Sequence, residues 1–272
     1  LAPRGGAIVL RTGAAYAIAD LPAAAGRVFN DIDIMIPKAQ LPEAEALLQA
    51  AGWVSQAGDA YDQHYYRTWM HQLPPMRHHA RKSVVDVHHT IVPETARTPV
   101  AGEVLAAAAA PIPGQAGLKT LGPSDMVLHS ATHLFNEGEF RHGLRDLMDL
   151  ADLLRHFGRD RDFGRRLSAR AAELGLTRPL VYAIREGRRW LGPAWPDAGD
   201  AEALARRSPS WGERAMEMLL KRALQPQHPS CRDTLTRLTR GLLYVRGHAL
   251  RMPPRLLLPH LMRKAASERD AA

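Results

Sequence analysis

From Asn30 to Pro37 the chain reads Asn-Asp-Ile-Asp-Ile-Met-Ile-Pro, an alternation that only a β-strand satisfies. Successive strand side chains emerge on opposite faces, so Asp31 and Asp33 share one face while Ile32, Ile34 and Ile36 share the other. The isoleucines call for burial, and Pro37 ends the strand. Two neighbouring carboxylates on one face repel each other unless water or a cation lies between them. Mg²⁺ meets that need, since it prefers hard oxygen ligands used together with substrate phosphates.

The flanking sequence supplies a scaffold. Ala7-Ile8-Val9-Leu10 reads as a short buried strand, followed by the turn Arg11-Thr12-Gly13 and a helix over Ala14 to Ala19. Leu41 to Ala51 has helical spacing, with Leu41, Ala44, Leu47 and Leu48 on one face and Gly52 past its end. Aromatic and β-branched residues cluster in Tyr61 to Trp69 and in Ser83 to Ile91, which predicts antiparallel strands there. After Pro93 the pattern turns helical, with a helix starting near Ser124 and another over Gly138 to Phe157. The expected fold class is α+β: a small mixed-sheet core over 1–110 and an all-helical domain over 111–272.

A third acid strengthens the pair. Asp86 lies in Val84-Val85-Asp86-Val87-His88, among valines that require burial, so its strand belongs in the same sheet. Three acids on two strands suit two metal ions roughly 3.5–4 Å apart, which clamp the attacking and leaving oxygens of a phosphoryl displacement.

The order strand, glycine-containing turn, helix, Asp-x-Asp strand, helix, lone-Asp strand resembles the polymerase-β nucleotidyltransferase core. More narrowly, Arg11-Thr12-Gly13-Ala14-Ala15-Tyr16, Arg27-Val28-Phe29-Asn30-Asp31-Ile32-Asp33 and Val85-Asp86-Val87-His88-His89 resemble the uncharacterised bacterial nucleotidyltransferases of that superfamily. In the helical part, His129 and Arg145-Asp146 stand where that family often carries a histidine and an Arg-Asp pair. The resemblance implies transfer of a nucleotidyl group from a nucleoside triphosphate, such as ATP, with Mg²⁺ or Mn²⁺ on Asp31, Asp33 and Asp86. It implies nucleotide contacts from Arg11, Thr12, Gly13, Arg27, His88, His129 and Arg145. The superfamily's Gly-Ser is Gly13-Ala14 here, the family's lysine is replaced by Arg11-Thr12, and His89 stands where tryptophan is common. Those departures favour the alternative of a degenerate fold kept as a non-catalytic nucleotide- or partner-binding module, and the three retained acids oppose it.

Other residues have plainer expectations. His88 shares the face of Asp86, and His89 points the other way as a structural residue. His64, His71, His78 and His79 fall in a loop-rich stretch and are expected to face water. Arg145 and Asp149, four apart on a helix, are spaced for a surface ion pair. His129 and His133 share a helical face, and with Asp146 they define a rival metal-dependent phosphohydrolase, which lacks an adjacent His-Asp pair.

The formal charge of +8 comes almost entirely from arginine, which fits a polyanionic partner and equally a GC-rich coding bias. At the C-terminal end, Arg232, Arg237, Arg240 and Arg246 alternate with leucines, predicting helices with an apolar face inward and arginines outward. Tyr244 is the one aromatic in that stretch, so stacking platforms for single strands are lacking. The acceptor is therefore expected to be a small molecule, sugar or protein rather than nucleic acid. No apolar run approaches the ~20 residues that span a bilayer, and the single Cys231 fits a reducing cytoplasm.

Overall fold

A computed structural model describes residues 7–29, 31–231 and 233–270, the last seven of these by backbone alone; Asn30 and Arg232 lie outside the described residues. The first strand, β1 (Ile8–Leu10), leads directly into α1 (Thr12–Ile18), and β2 (Asp31–Met35) is followed by α2 (Leu41–Ala50). A meander of β3 (Trp53–Ser55), β4 (Met76–His78) and β5 (Val84–His88) encloses α3 (Ala60–His64). Then come α4 (Gly102–Ala107), β6 (Ala110–Pro111) and β7 (Leu118–Thr120). Among the described residues these strands form one mixed seven-stranded sheet in the order β3-β4-β5-β2-β1-β7-β6. β2 runs parallel to β5 and antiparallel to β1, which places the Asp-x-Asp strand at the middle of the sheet.

The α+β expectation holds, and the sheet extends past position 110. β6 and β7 form a hairpin whose second strand pairs in parallel with β1, so the sheet continues to Thr120. The helical half follows as α5 (Pro123–Asn136), α6 (Gly143–Phe157), α7 (Phe163–Glu173), α8 (Thr177–Leu191), α9 (Glu202–Arg206), α10 (Trp211–Ala223), α11 (Thr234–Arg251) and α12 (Pro254–Asp270). One continuous apolar core joins the halves, running from Ile8 and Val87 through Phe135 and Leu150 to Leu243. No helix among the described residues is long and apolar enough to cross a membrane.

Several local expectations are corrected. Tyr61 to Trp69 is helical: α3 continues into a π-helical turn over Tyr65–Trp69. Asp59 starts it by accepting a hydrogen bond from the Asp62 N–H, and Tyr61, Tyr65 and Trp69 recur at the four-residue spacing of one helical face, which overrides their β-propensity. The helix expected from Gly138 starts at Gly143, because Gly138 holds a φ of +84°. Ile32 and Leu47 are exposed rather than buried. Burial along β2 rises only from its third residue, so the helices cover one end of that strand.

The polarity of α11 departs from the expected one: Arg237 is exposed and Leu243 buried as expected, but the other leucines of the helix's first three turns face solvent. Thr236, Thr239, Leu243 and Gly247 form its buried face, and a Cβ on Gly247 would lie 2.4 Å from the Glu137 carbonyl oxygen. Small residues win this face because they let the backbone of α11 approach the end of α5. Arg240 donates to the carbonyls of Ala223 and Gln225, and Arg246 to that of Phe135 at 2.7 Å, filling acceptors that α10 and α5 leave open at their C-termini. Leu235, Leu238, Leu242 and Val245 lie on the solvent side.

Candidate active site

The parallel pairing of β2 and β5 sets Asp33 beside Asp86, with Asp31 beside Val84 and Met35 beside His88. Because paired residues of neighbouring strands face the same way, Asp31, Asp33, Asp86 and His88 stand on one face. Their backs are Ile34, Val85 and Val87, all in the core. Asp33 is the most engaged of the acids: Oδ1 accepts from His88 Nε2 at 3.2 Å, and Oδ2 accepts a short hydrogen bond from the Thr12 hydroxyl. Burial opposes its charge, but the His88 hydrogen bond, Arg11 and Thr12 outweigh it and hold the carboxyl well below the usual range. His88 itself is pushed down to about 4 by burial and by Arg11, so at neutral pH it is an uncharged donor to Asp33.

Asp86 is the opposite case. Its Oδ1 is buried without a hydrogen-bond partner. Burial, followed by repulsion from Asp33 and Asp31, raises its carboxyl to about 7. Asp31 is more exposed and is raised by burial and by Asp33. One strand pair thus carries one firmly ionised acid and one poised near neutrality, a division suited to ligand and base.

Arg11 sits behind this face, buried, with Nε and one terminal nitrogen directed at His129 Nε2 at 3.2 and 3.0 Å. Burial, with Arg11 next, keeps His129 far below its ordinary value, so it accepts as a neutral ring. That engagement removes His129 from the His129–His133–Asp146 metal set of the rival phosphohydrolase. Among the described residues no group of three His, Cys, Asp or Glu side chains is arranged to hold a metal ion by itself. Mg²⁺ commonly takes one or two carboxylates and completes its shell with phosphate oxygens and water. The hard donors present and the unpartnered Asp86 Oδ1 fit that mode.

The acids face a cleft with two lobes. The wider, of 510 Å³, is lined by Asp86, His88, His71, Tyr61, Tyr65 and the C-terminal His248, Arg251, His260 and Arg263. The narrower, of 230 Å³, is lined by Gly13, Arg27, Phe29, Arg141, His142 and Arg145. Thr12, Asp31, Asp33, His133 and Glu139 line both, and Asp86 lines only the wider one.

Residues named from the sequence fall into three groups. Asp31, Asp33, Asp86, Thr12, His88, Arg11 and His129 come together at the junction and behind it, while Gly13, Arg27 and Arg145 line the narrower lobe. Gly13 is helical rather than a turn residue. Its lack of a side chain admits the Phe29 ring, whose nearest atom would lie 2.1 Å from an added Cβ. Arg27 forms the ion pair with Asp149 and lies over Phe29 at 4.9 Å, so Arg145 is left with Asp146 at 3.8 Å instead of its expected partner Asp149.

Other site residues were not anticipated. His71 and His78 are buried instead of facing water. His71 reaches the site because its segment pairs irregularly with β5, the Leu73 N–H donating to Val87 and the His89 N–H to His71. The Tyr65 ring stacks on His260 at 4.5 Å, and the Tyr61 hydroxyl is 3.1 Å from His260 Nδ1. The four-residue aromatic spacing was the available signal for this wall. His89 lines neither lobe.

The family model for uncharacterised nucleotidyltransferases matches residues 1–192, which contain every acid of the junction. The chain belongs to that family. Membership supports nucleotidyl transfer as its general activity and a nucleotide as substrate. No curated protein and no solved structure matches the chain. His248, Arg251, His260 and Arg263, which complete the wider lobe, lie beyond the matched residues.

Proposed function

We propose that this nucleotidyltransferase moves a nucleotidyl group from a nucleoside triphosphate to an acceptor hydroxyl, with Mg²⁺ or Mn²⁺ held by Asp31, Asp33 and Asp86. The observation that carries the reading is the lobe arrangement: Asp31 and Asp33 are shared by both lobes, whereas Asp86 belongs to the wider lobe alone. The triphosphate is assigned to the narrower lobe, where Arg27, Arg141 and Arg145 offset phosphate charge. The acceptor is assigned to the wider lobe. A bound divalent ion would polarise the phosphoryl group and offset the charge that develops on it.

The residues' own contributions follow from their surroundings. His88 and Thr12 fix the two oxygens of Asp33, so its orientation is set before any ligand arrives. Asp86, which lines the wider lobe and not the narrower one, takes the acceptor hydroxyl proton. The acceptor oxygen then bonds to the α-phosphorus as the bond to the bridging oxygen of pyrophosphate breaks. A small molecule, sugar or protein hydroxyl fits this role better than nucleic acid, and triphosphate use suits a cytoplasmic location.

The test is incubation with Mg²⁺ and each α-labelled nucleoside triphosphate in cell extract. Pyrophosphate release with label transfer, lost in Asp33→Asn, supports the reading. Triphosphate binding without any turnover would support the non-catalytic alternative. That alternative draws on the Thr12 hydroxyl, which is committed to Asp33 rather than open to a phosphate.

A further inference from the structure

The chain carries a formal charge of +8, yet the wider lobe is lined by seven carboxylates and three guanidiniums. Each of those guanidiniums is already engaged. Arg11 is buried against His129 and surrounded by the charges of Asp33, Glu137 and Asp86. Arg251 donates to the carbonyls of Gly247 and Glu137. Arg263 pairs with Asp59 at 2.8 Å and lies 4.3 Å over the Tyr61 ring.

The carboxylates are not matched in the same way. Asp31, Asp33 and Asp86 are assigned to the metal, Asp59 is paired with Arg263, and Glu137 faces His133 at 3.5 Å. Asp62 and Glu139 line the lobe with no ion-pair partner among the described residues. His71, which also lines it, is buried and its Nδ1 has no hydrogen-bond partner. The lobe therefore combines an excess of carboxylates over guanidiniums, a buried polar atom without a partner and the aromatic wall of Tyr61 and Tyr65.

Walls carrying one sign of charge concentrate counter-ions in a cleft, and like-charge contacts exclude the wrong partner. A phosphorylated or polynucleotide acceptor would bring its phosphates beside Asp62, which lines the wider lobe and not the narrower one. A protonated amine gains from both Asp62 and Glu139. At 510 Å³ the lobe has the size of a small-molecule site.

We propose that the wider lobe takes a small cationic acceptor, a hydroxylated amine, and that Asp62 and Glu139 select it. This rests on the assignment of the acceptor to that lobe. His248, Arg251, His260 and Arg263 come from beyond the family-matched residues, so selection is built partly by this chain's own C-terminal helices.

The test uses the full chain without metal, with spermine as the polycationic probe, by calorimetry at low ionic strength. Spermine should bind the wild type and lose affinity severalfold in Asp62→Asn/Glu139→Gln, whose melting temperature reports whether the fold is kept. Should that variant fold poorly, a wild-type measurement replaces it: spermine is displaced by unlabelled glucosamine and not by glucose 6-phosphate. Absent spermine binding, equal affinity in a well-folded variant, or displacement by the sugar phosphate overturns the proposal. None of these measurements needs nucleotide turnover. Their failure is thus separable from failure of the transfer reading, which is decided by labelled triphosphate and Asp33→Asn.

Discussion

Asp33 and Asp86 are register partners on parallel strands, side by side on one face of the sheet, yet the protein shifts their carboxyls in opposite directions. Asp33 accepts hydrogen bonds from His88 and Thr12 and stays ionised, whereas Asp86 has one oxygen buried without a partner and is raised to about 7. The difference comes from what surrounds each acid, since their backbone positions are equivalent. One strand pair therefore carries one carboxyl held ionised and one raised toward neutrality, the pair proposed here as fixed anion and proton acceptor.

Replacing Asp86 separates these roles. Asp86→Asn should leave triphosphate binding in place and lower turnover by about 10²–10⁴-fold, the usual contribution of a positioned base. Asp33→Asn should abolish metal-dependent turnover and also lower the Asp86 value from about 7, because one repelling charge is gone. For stability the sign is set by the raised value. The protonated Asp86 favours the folded state, so its contribution is full below the ordinary carboxylate range and is lost as pH rises through about 7. Melting curves in chelator should show wild-type stability falling between pH 4 and pH 7 more steeply than that of Asp86→Asn. Parallel curves would remove Asp86 from the buried, repelled position argued for it.

Gly13 offers a test of packing at the narrower lobe. A Cβ there would meet the Phe29 ring at 2.1 Å, so Gly13→Ala should destabilise by about 1–3 kcal/mol, as overpacking generally does. Gly13→Ala/Phe29→Leu should recover most of that loss in denaturant unfolding. A neutral Gly13→Ala would mean that Phe29 moves aside freely.

Much of this site was legible in the Asp-Ile alternation of β2, because strand periodicity alone puts both acids on one face opposite the isoleucines. The flanking valines likewise placed Asp86 in the same sheet. The register that pairs Asp33 with Asp86 was not legible, since strand pairing depends on contacts far apart in sequence. His71 escaped notice because it enters the site through an irregular bridge beside β5. Tyr61 to Trp69 misled because their β-propensity and their four-residue spacing point to different structures. In α11 two candidate faces competed, and the choice of the Thr/Gly face over the leucine face depends on how closely α5 approaches.

That choice of face leads to a prediction about the C-terminal arginines. Arg246→Gln removes the donor to the Phe135 carbonyl at the end of α5 and should cost roughly 1–3 kcal/mol. Leu238→Gln and Leu242→Gln, on the solvent side, should change stability by no more than about 0.5 kcal/mol. The outward-arginine arrangement expects the reverse order, so urea unfolding of the three variants decides between them.

Arg27 and Asp149 give the last prediction. Their ion pair crosses the narrower lobe from the segment before β2 to α6, with both side chains largely buried. Burial raises Asp149 to about 6 even though Arg27 opposes the shift. Arg27→Met leaves that carboxyl without its cation, so Asp149 should titrate higher still and be neutral at pH 7. Removing one partner of a buried pair costs more than removing both, so Arg27→Met/Asp149→Leu should be more stable than Arg27→Met alone. Function should order the variants differently. If Arg27 also serves the triphosphate, both variants raise the KM for triphosphate alike, whatever their stability. An Arg27→Met protein with wild-type KM, together with a restored melting temperature in the double variant, would make Arg27 a purely structural cation and leave phosphate contact to Arg141 and Arg145.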